Sequence, residues 1–148
     1  MLKFIFKGML SLMVFLYTST GGRIGGTMNG GDVLLLTTTG RKSGKQRTVP
    51  LLYIRDGSAY VITASAGGAD RHPDWFFNVR SNQQATIQVK DKQMRVVSEV
   101  AGPEKKRELW ARLLEVAPFF ARYQQRTQRE IPMVSLHPVD ERGEKKPA

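Results

Sequence analysis

Two apolar runs, Val33–Leu36 and Leu51–Ile54, flank a segment with Gly40-Arg41-Lys42-Ser43-Gly44 at its centre and Lys45 and Arg47 just beyond. Short apolar runs bounded by Gly and Pro read as buried strands, here joined by a turn. That turn gathers four cations and several hydroxyls. Glycine lets backbone N–H groups approach a ligand, and Arg or Lys supplies the charge that holds a phosphate or carboxylate. A solvated hairpin tip has the same composition, so both readings stand at this point. A P-loop does not: it needs Gly-x-x-x-x-Gly-Lys-Ser/Thr opening a helix. Here Leu35 occupies the place of the first glycine, and the chain beyond is β-rich and carries Pro50.

At 148 residues the chain is of single-domain size and can bury a sizeable core. Lys and Arg number 23 against 13 Asp and Glu, a formal net charge of +10. That excess points to an anionic partner, whether nucleic acid, an anionic membrane surface or a polyanionic small molecule. The cations run through the whole chain and no nucleic-acid-binding module is recognisable, so no nucleic-acid partner is expected. With no cysteine there are no disulfides, thiolate metal sites or cysteine nucleophiles. His72 and His137 are the two histidines, far apart in sequence, and no metal site is expected.

Met1–Tyr17 is almost wholly apolar, and Lys3, Lys7 and Ser11 recur every four residues, which predicts a helix with a narrow polar stripe. The run falls short of the ~20 residues that span a bilayer. Thr18–Gly22 is also a poor cleavage site for a secretory signal. Two roles stay open: packing on the domain, or lying in an anionic membrane interface. Gly21–Gly26 is expected to be a flexible connector. Val33–Thr38, Thr48–Ile54 and Tyr60–Ala64 read as strands, the last two joined at Asp56-Gly57. Ser65–Ala69 holds only small residues, so a ligand can approach its backbone. Asp70 reads as the N-cap of a short helix through Asn78, with Pro73 early in it. Ala85–Val89 and Met94–Val100 form a second hairpin, and Pro103–Val116 a helix that ends before Pro118. Phe119–Tyr123 is a short aromatic segment and Ile131–Leu136 a last strand, with Pro132 at its start. Glu141–Ala148 is a charged tail expected to be disordered. Hairpin-linked strands with helices at the start, middle and end give a mainly β (α+β) class, a small barrel with an N-terminal helix and added short helices.

Several of these pieces recur in one order. They are Leu34-Leu35-Leu36-Thr37-Thr38-Thr39-Gly40-Arg41-Lys42-Ser43-Gly44, Arg47, Pro50-Leu51, Arg55-Asp56-Gly57, Ala64-Ser65, Gly67-Gly68-Ala69, Pro73, Trp75 and Asn78. Pro118, Tyr123-Gln124, Thr127 and Ile131-Pro132 complete the series. With this order and spacing the chain resembles the deazaflavin (F420)-dependent nitroreductase family. The resemblance implies a split β-barrel, FMN-binding-like, over residues 21–138, preceded by an amphipathic helix at 1–20 and followed by a charged tail at 139–148. It implies an F420H2-dependent reductase of the quinone/nitroreductase type, an oxidoreductase carrying out hydride transfer. Hydride would pass from ring carbon C5 of the reduced coenzyme F420, an 8-hydroxy-5-deazaflavin, to an electron-poor acceptor: a quinone, a nitroaromatic or an enone. FMN is the alternative ligand, and a non-catalytic carrier of a flavin-like anionic cofactor is the alternative function.

On the same resemblance Arg41, Lys42 and Arg47 would hold the coenzyme's phosphodiester and oligoglutamate tail, with backbone contacts from Ser43 and Gly44. Pro50, Leu52 and Ser65 would line the ring, Ala66 and Gly67 would adjoin it, and Trp75 and Asn78 would close the side. Tyr123 and Ser65 are the expected catalytic side chains, as proton donors. Two departures stand out. Ala66 replaces a lysine common in the family, and Ala117 and Phe120 replace tyrosines that face the acceptor. The implied protein is cytoplasmic, or peripheral on the inner face of the membrane, as a monomer or homodimer.

Overall fold

The computed structural model describes residues 2–146, with side chains from Gly8 onward. Helix α1 (Leu2–Thr20) leads into β1 (Thr27–Met28), β2 (Gly31–Thr39), β3 (Gln46–Asp56) and β4 (Ala59–Thr63). A single 3-10 turn (Ala66–Gly68) and α2 (Asp74–Ser81) precede β5 (Gln84–Val89) and β6 (Lys92–Val100). Helices α3 (Pro103–Val116) and α4 (Phe120–Gln125) and strand β7 (Met133–Pro138) complete the chain. The strands run β1-β2-β3-β4-β7-β6-β5, all antiparallel, and β5 returns to pair with β2 through Leu35–Thr37. That last pairing closes β2, β3, β4, β7, β6 and β5 into the expected mainly β barrel, with helices added outside.

β2 reads as a continuous apolar run because both of its faces are covered, which removes the usual alternation. Leu34 and Leu36 point into the barrel with Ile62, Ile87, Val134 and Leu136, whereas Val33 and Leu35 lie under α1 against Tyr17 and Val14. On the outer face of β3 and β4, Leu52, Ile54 and Val61 pack on Leu109 and Leu113 of α3 and Phe120 of α4. Fully burying a leucine of this kind contributes about 1.5–3 kcal/mol. The Asp56 carboxylate pins α3 to the β3–β4 hairpin through Lys105 at 3.0 Å and Arg112 at 3.2 Å. A hydrogen bond from Lys105 is the chief reason that carboxyl sits below its ordinary range.

Three local expectations change. The short helix starts at Asp74 with Pro73 as its N-cap, not at Asp70, because the Asp70 carboxylate instead accepts the Thr127 hydroxyl at 2.9 Å. Gly21–Gly26 is a folded connector: the Gly22 N–H donates to Tyr17 O and the Val33 N–H to Gly26 O, both at 2.9 Å. A Cβ at Gly22, whose φ is +83°, would lie 2.8 Å from Lys90 Cα, so the segment is seated on the barrel. Of the tail expected to be disordered, 141–148, residues 141–146 fold back with Val139 and Asp140 as a small hairpin in which the Lys146 N–H donates to Pro138 O at 2.8 Å, and 147–148 lie outside the described residues. The Asp140 carboxylate organises it by accepting the N–H groups of Arg142 and Glu144.

Helix α1 packs on the barrel through one hydroxyl. Tyr17 is 1% exposed; its Oη accepts the Lys90 N–H at 2.7 Å and lies 3.0 Å from Val33 O and 3.2 Å from Gln88 O. It therefore ties α1 to both strands at the seam where the barrel closes. Tyr17→Phe should cost about 0.5–1.5 kcal/mol, because the part-buried Lys90 N–H and the buried Val33 carbonyl lose a hydrogen-bond partner. Urea unfolding measures this; an unchanged midpoint would mean that α1 docks by apolar contact alone.

Candidate active site

β3 is eleven residues long and β4 only five. Their register covers Tyr53–Asp56 against Ala59–Ile62, so Gln46–Leu52 pairs with β2 on one edge and with no strand on the other. Continuing that register would set Leu52 against Thr63 and Pro50 against Ser65. A proline cannot donate to a ladder, and the chain leaves β4 where it would have to pair there. The barrel is split at this point. Pro50 stands on one side of the split and Ser65 on the other, and the cationic turn Gly40–Lys45 joins β2 to β3 at the same end.

The turn is built from within. Gly40 donates its N–H to Lys45 O and accepts that of Gly44, both at 2.8 Å. The Ser43 hydroxyl accepts the Lys45 N–H at 3.1 Å. A Cβ at Gly40 would come within 2.7 Å of that same hydroxyl. From outside, the buried Asn78 amide holds the turn: its oxygen accepts the Arg41 N–H at 3.1 Å and its nitrogen donates to Thr38 Oγ1 at 3.0 Å. The Arg41 guanidinium lies 4.7 Å from the Phe77 ring and 3.8 Å from the exposed Asp74 carboxylate. Lys42, Lys45 and Arg47 are exposed.

Across the split, Ser65 is buried, Ala66 and Gly67 are exposed, and Ala66, Gly67 and Gly68 all have positive φ, at +47°, +65° and +87°. A non-glycine residue seldom adopts this left-handed conformation, so the surrounding contacts must impose it. Helix α4 forms the next wall. Its Phe119 and Tyr123 rings are half-buried, 5.6 Å apart and edge to face. Two hollows are also present. One of about 230 Å³ reaches the stem of the cationic turn at Thr39 and Gln46. Another of about 340 Å³ sits between Tyr53, Arg55 and Arg112.

A family model for F420H(2)-dependent quinone reductases matches residues 10–138. The chain belongs to that family. It is 40% identical over 134 residues to an F420H(2)-dependent quinone reductase of Mycobacterium tuberculosis, covering 86% of this chain and 89% of the relative. The solved F420-H2 dependent reductase FDR-A superposes with a TM-score of 0.65 at 37% identity, over 70% of this chain and 92% of that one. A structure described as a domain-swapped dimer matches with a TM-score of 0.68 at 30% identity, over 90% and 97%. As a member of the F420H(2)-dependent quinone reductase family the protein is an oxidoreductase, and coenzyme F420 is its hydride source. The carrier reading and the FMN reading give way to it.

Within this family frame, the expected site residues fall into groups. Arg41, Lys42, Ser43, Gly44 and Arg47 share the turn and its stem, while Pro50, Ser65, Ala66 and Gly67 border the split. Leu52 is 5% exposed and packs under α3 and α4. Trp75 is 6% exposed in the barrel interior, and the Asn78 amide is spent on Arg41 and Thr38. Asn78 therefore acts on the turn from beneath, and Trp75 packs in the core. Ala117 and Phe120, expected to face the acceptor, are 0% and 6% exposed and belong to the cluster around Leu52. The Phe119 and Phe120 rings both flank that of Tyr123, at 5.6 and 5.4 Å, with Phe119 the more exposed of the two.

Sequence reading missed Arg129. Its Nε donates to Ala69 O at 2.7 Å, Nη2 to Ser65 O at 2.8 Å and Nη1 to Ala64 O at 3.2 Å. Nη1 also lies 2.9 Å from His72 Nδ1. A guanidinium only donates, so that nitrogen accepts and the imidazole is neutral with its proton on Nε2. Burial, then the charges of Arg129 and Arg80, hold the His72 pKa below its usual value.

Asn78→Ala should destabilise the protein by about 1–3 kcal/mol, since Thr38 Oγ1 and the Arg41 N–H both lose their partner. Chemical denaturation checks it. A variant as stable as the wild type would show that the amide does not hold the turn.

Proposed function

We propose that reduced coenzyme F420 lies along the split, its phosphodiester and oligoglutamate tail on the cationic turn and its ring beside Pro50 and Ser65. The observation that supports this is the open edge of β3, which runs from the exposed cations Lys42, Lys45 and Arg47 to the point opposite Ser65. The donor set fits: three exposed cations and Arg41 suit a chain of carboxylates and a phosphodiester, and a mononucleotide would leave most of that charge unused. When bound, the coenzyme supplies a hydride at C5.

The residues themselves supply position, exclusion of water and a proton. Phe119 and Tyr123 wall the acceptor side, and the mostly aromatic surface suits flat apolar acceptors such as quinones. A nitro group, whose developing charge needs several hydrogen-bond donors, finds few there. The Tyr123 or Ser65 hydroxyl delivers the proton to the acceptor oxygen that takes up negative charge.

Titration of the oxidised coenzyme by Trp fluorescence, paired with turnover of the reduced coenzyme by menadione, tests the assignment. Arg41→Ala, Lys42→Ala and Arg47→Ala should each weaken binding by about 1.5–3 kcal/mol, the size of a hydrogen bond to a charged group. Added salt should weaken the wild type in the same direction. Lys92→Ala, on the distant β5–β6 hairpin, should leave binding unchanged; Lys105, tied to Asp56, is a poorer control. Equal losses in all four variants, or flavin mononucleotide binding as tightly as the coenzyme, would overturn the reading.

A second reading concerns α1. Among the described residues no helix is long and apolar enough to cross a membrane. Yet Met9, Leu12 and Phe15, spaced three apart, are 58%, 56% and 64% exposed on α1, with Ile24 of the connector 50% exposed. We infer that this strip rests on an anionic bilayer surface, where quinones partition. Lys3 and Lys7, the cations expected to assist, lie outside the described side chains. Because Tyr17 braces the barrel, substitution suits the test better than deletion of the helix. The full chain should float with anionic liposomes and Leu12→Gln/Phe15→Gln should stay at the bottom; identical behaviour would refute the contact.

A further inference from the structure

The segment Ala64–His72 carries no regular strand, has three successive left-handed residues and yet bears Ser65 at a defined place beside the split. What fixes it comes from the connector between α4 and β7. Arg129 takes the carbonyls of Ala64, Ser65 and Ala69, and Arg126 donates to Gly67 O at 3.2 Å. Four carbonyls of the segment thus end on a guanidinium. The Thr127 hydroxyl adds a strut to Asp70 at 2.9 Å. The connector is itself fastened to α4, because the Gln124 side chain donates to Arg129 O at 2.8 Å and accepts the Ile131 N–H at 3.1 Å. Backbone meets backbone at the same place: a Cβ on Gly68 would lie 2.7 Å from Tyr123 O.

We propose that Arg129 is a positioning residue for hydride transfer: it fixes the Ser65 turn against α4, and so sets the relation between Ser65 and Tyr123. The inference rests on the reading of those two side chains as the acceptor-side groups. A planar fork is required for this, since one side chain must reach three carbonyls and an imidazole nitrogen at once; an ammonium offers a single point. Donor and acceptor must meet within a narrow distance, and a displacement of about 1 Å can cost on the order of a hundredfold in rate. The cationic turn is held separately, by Asn78, so cofactor affinity should not depend on Arg129.

Arg129→Lys, with Arg126→Ala as a milder variant that removes the Gly67 bond together with the guanidinium 5.5 Å from the Tyr123 ring, tests this by hydrogen–deuterium exchange, coenzyme titration and kinetics. In the ligand-free protein, Arg129→Lys should speed amide exchange within residues 64–72 by at least about tenfold, with the barrel strands unchanged. The dissociation constant of the oxidised coenzyme should stay within about threefold, while kcat with menadione falls by at least about tenfold. Arg126→Ala should show the same pattern at smaller size, and if Arg129→Lys fails to fold, faster exchange within residues 64–72 of Arg126→Ala without loss of kcat still decides against the proposal. A loosened turn with unchanged kcat would make the residue merely structural, and an unloosened turn would remove the premise; either result overturns the proposal. Failure of the reading beneath it looks different: Ser65→Ala and Tyr123→Phe would then turn over like the wild type while Arg129→Lys still did not.

Discussion

Pairing between β3 and β4 ends at Tyr53 and Ile62, and most of what is particular to this barrel follows from that early stop. An unpaired strand edge ordinarily invites another strand. Here the edge carries Pro50 and Arg47 and ends in a cationic turn, which discourages addition of a strand while leaving room for a flat ligand with an anionic tail. The chain that leaves β4 cannot use ladder hydrogen bonds, so its carbonyls must find donors elsewhere, and Arg126 and Arg129 provide them. The opening and its reinforcement are two sides of one geometric choice.

The same separation of duties recurs on each side of the split. Asn78 lies under the cationic turn and holds it without reaching the surface, while Lys42, Lys45 and Arg47 stay exposed. Arg129 and Gln124 brace the opposite wall from behind. Exposed charges need rigid backing to act on a ligand geometry, because long side chains lose much of any gain to conformational entropy. Buried neutral amides and a half-buried guanidinium supply that backing.

Hairpins, the helix at Pro103–Val116 and a small barrel with added helices were legible because turn signals and apolar periodicity are local properties, whereas the split was implied by the resemblance alone. The two residues of β1 were too few to leave a pattern. Asp70 carries the composition of an N-cap, but its carboxylate is claimed by Thr127, fifty-seven positions away, and no local rule sees that bond. Arg129 was invisible for a related reason: an arginine between Gln128 and Glu130 looks like any solvated surface residue until the fold brings it under the turn. Resemblance named the site segments, but it does not tell a residue that lines a cleft from one that packs behind it. Leu52, read as lining the ring, and Ala117 and Phe120, read as facing the acceptor, pack in the cluster under α3 and α4.

Gly68 ties these observations to sequence variation. Its φ is +87°, and any Cβ there would run into Tyr123 O at 2.7 Å and the Arg126 side chain at 3.0 Å. Both the left-handed backbone and the press of α4 reserve this position for glycine: a side chain there would have to strain φ and push α4 away from the turn. Position 68 thus couples the conformation of the Ser65 turn to the seat of α4, so that one substitution would disturb both at once.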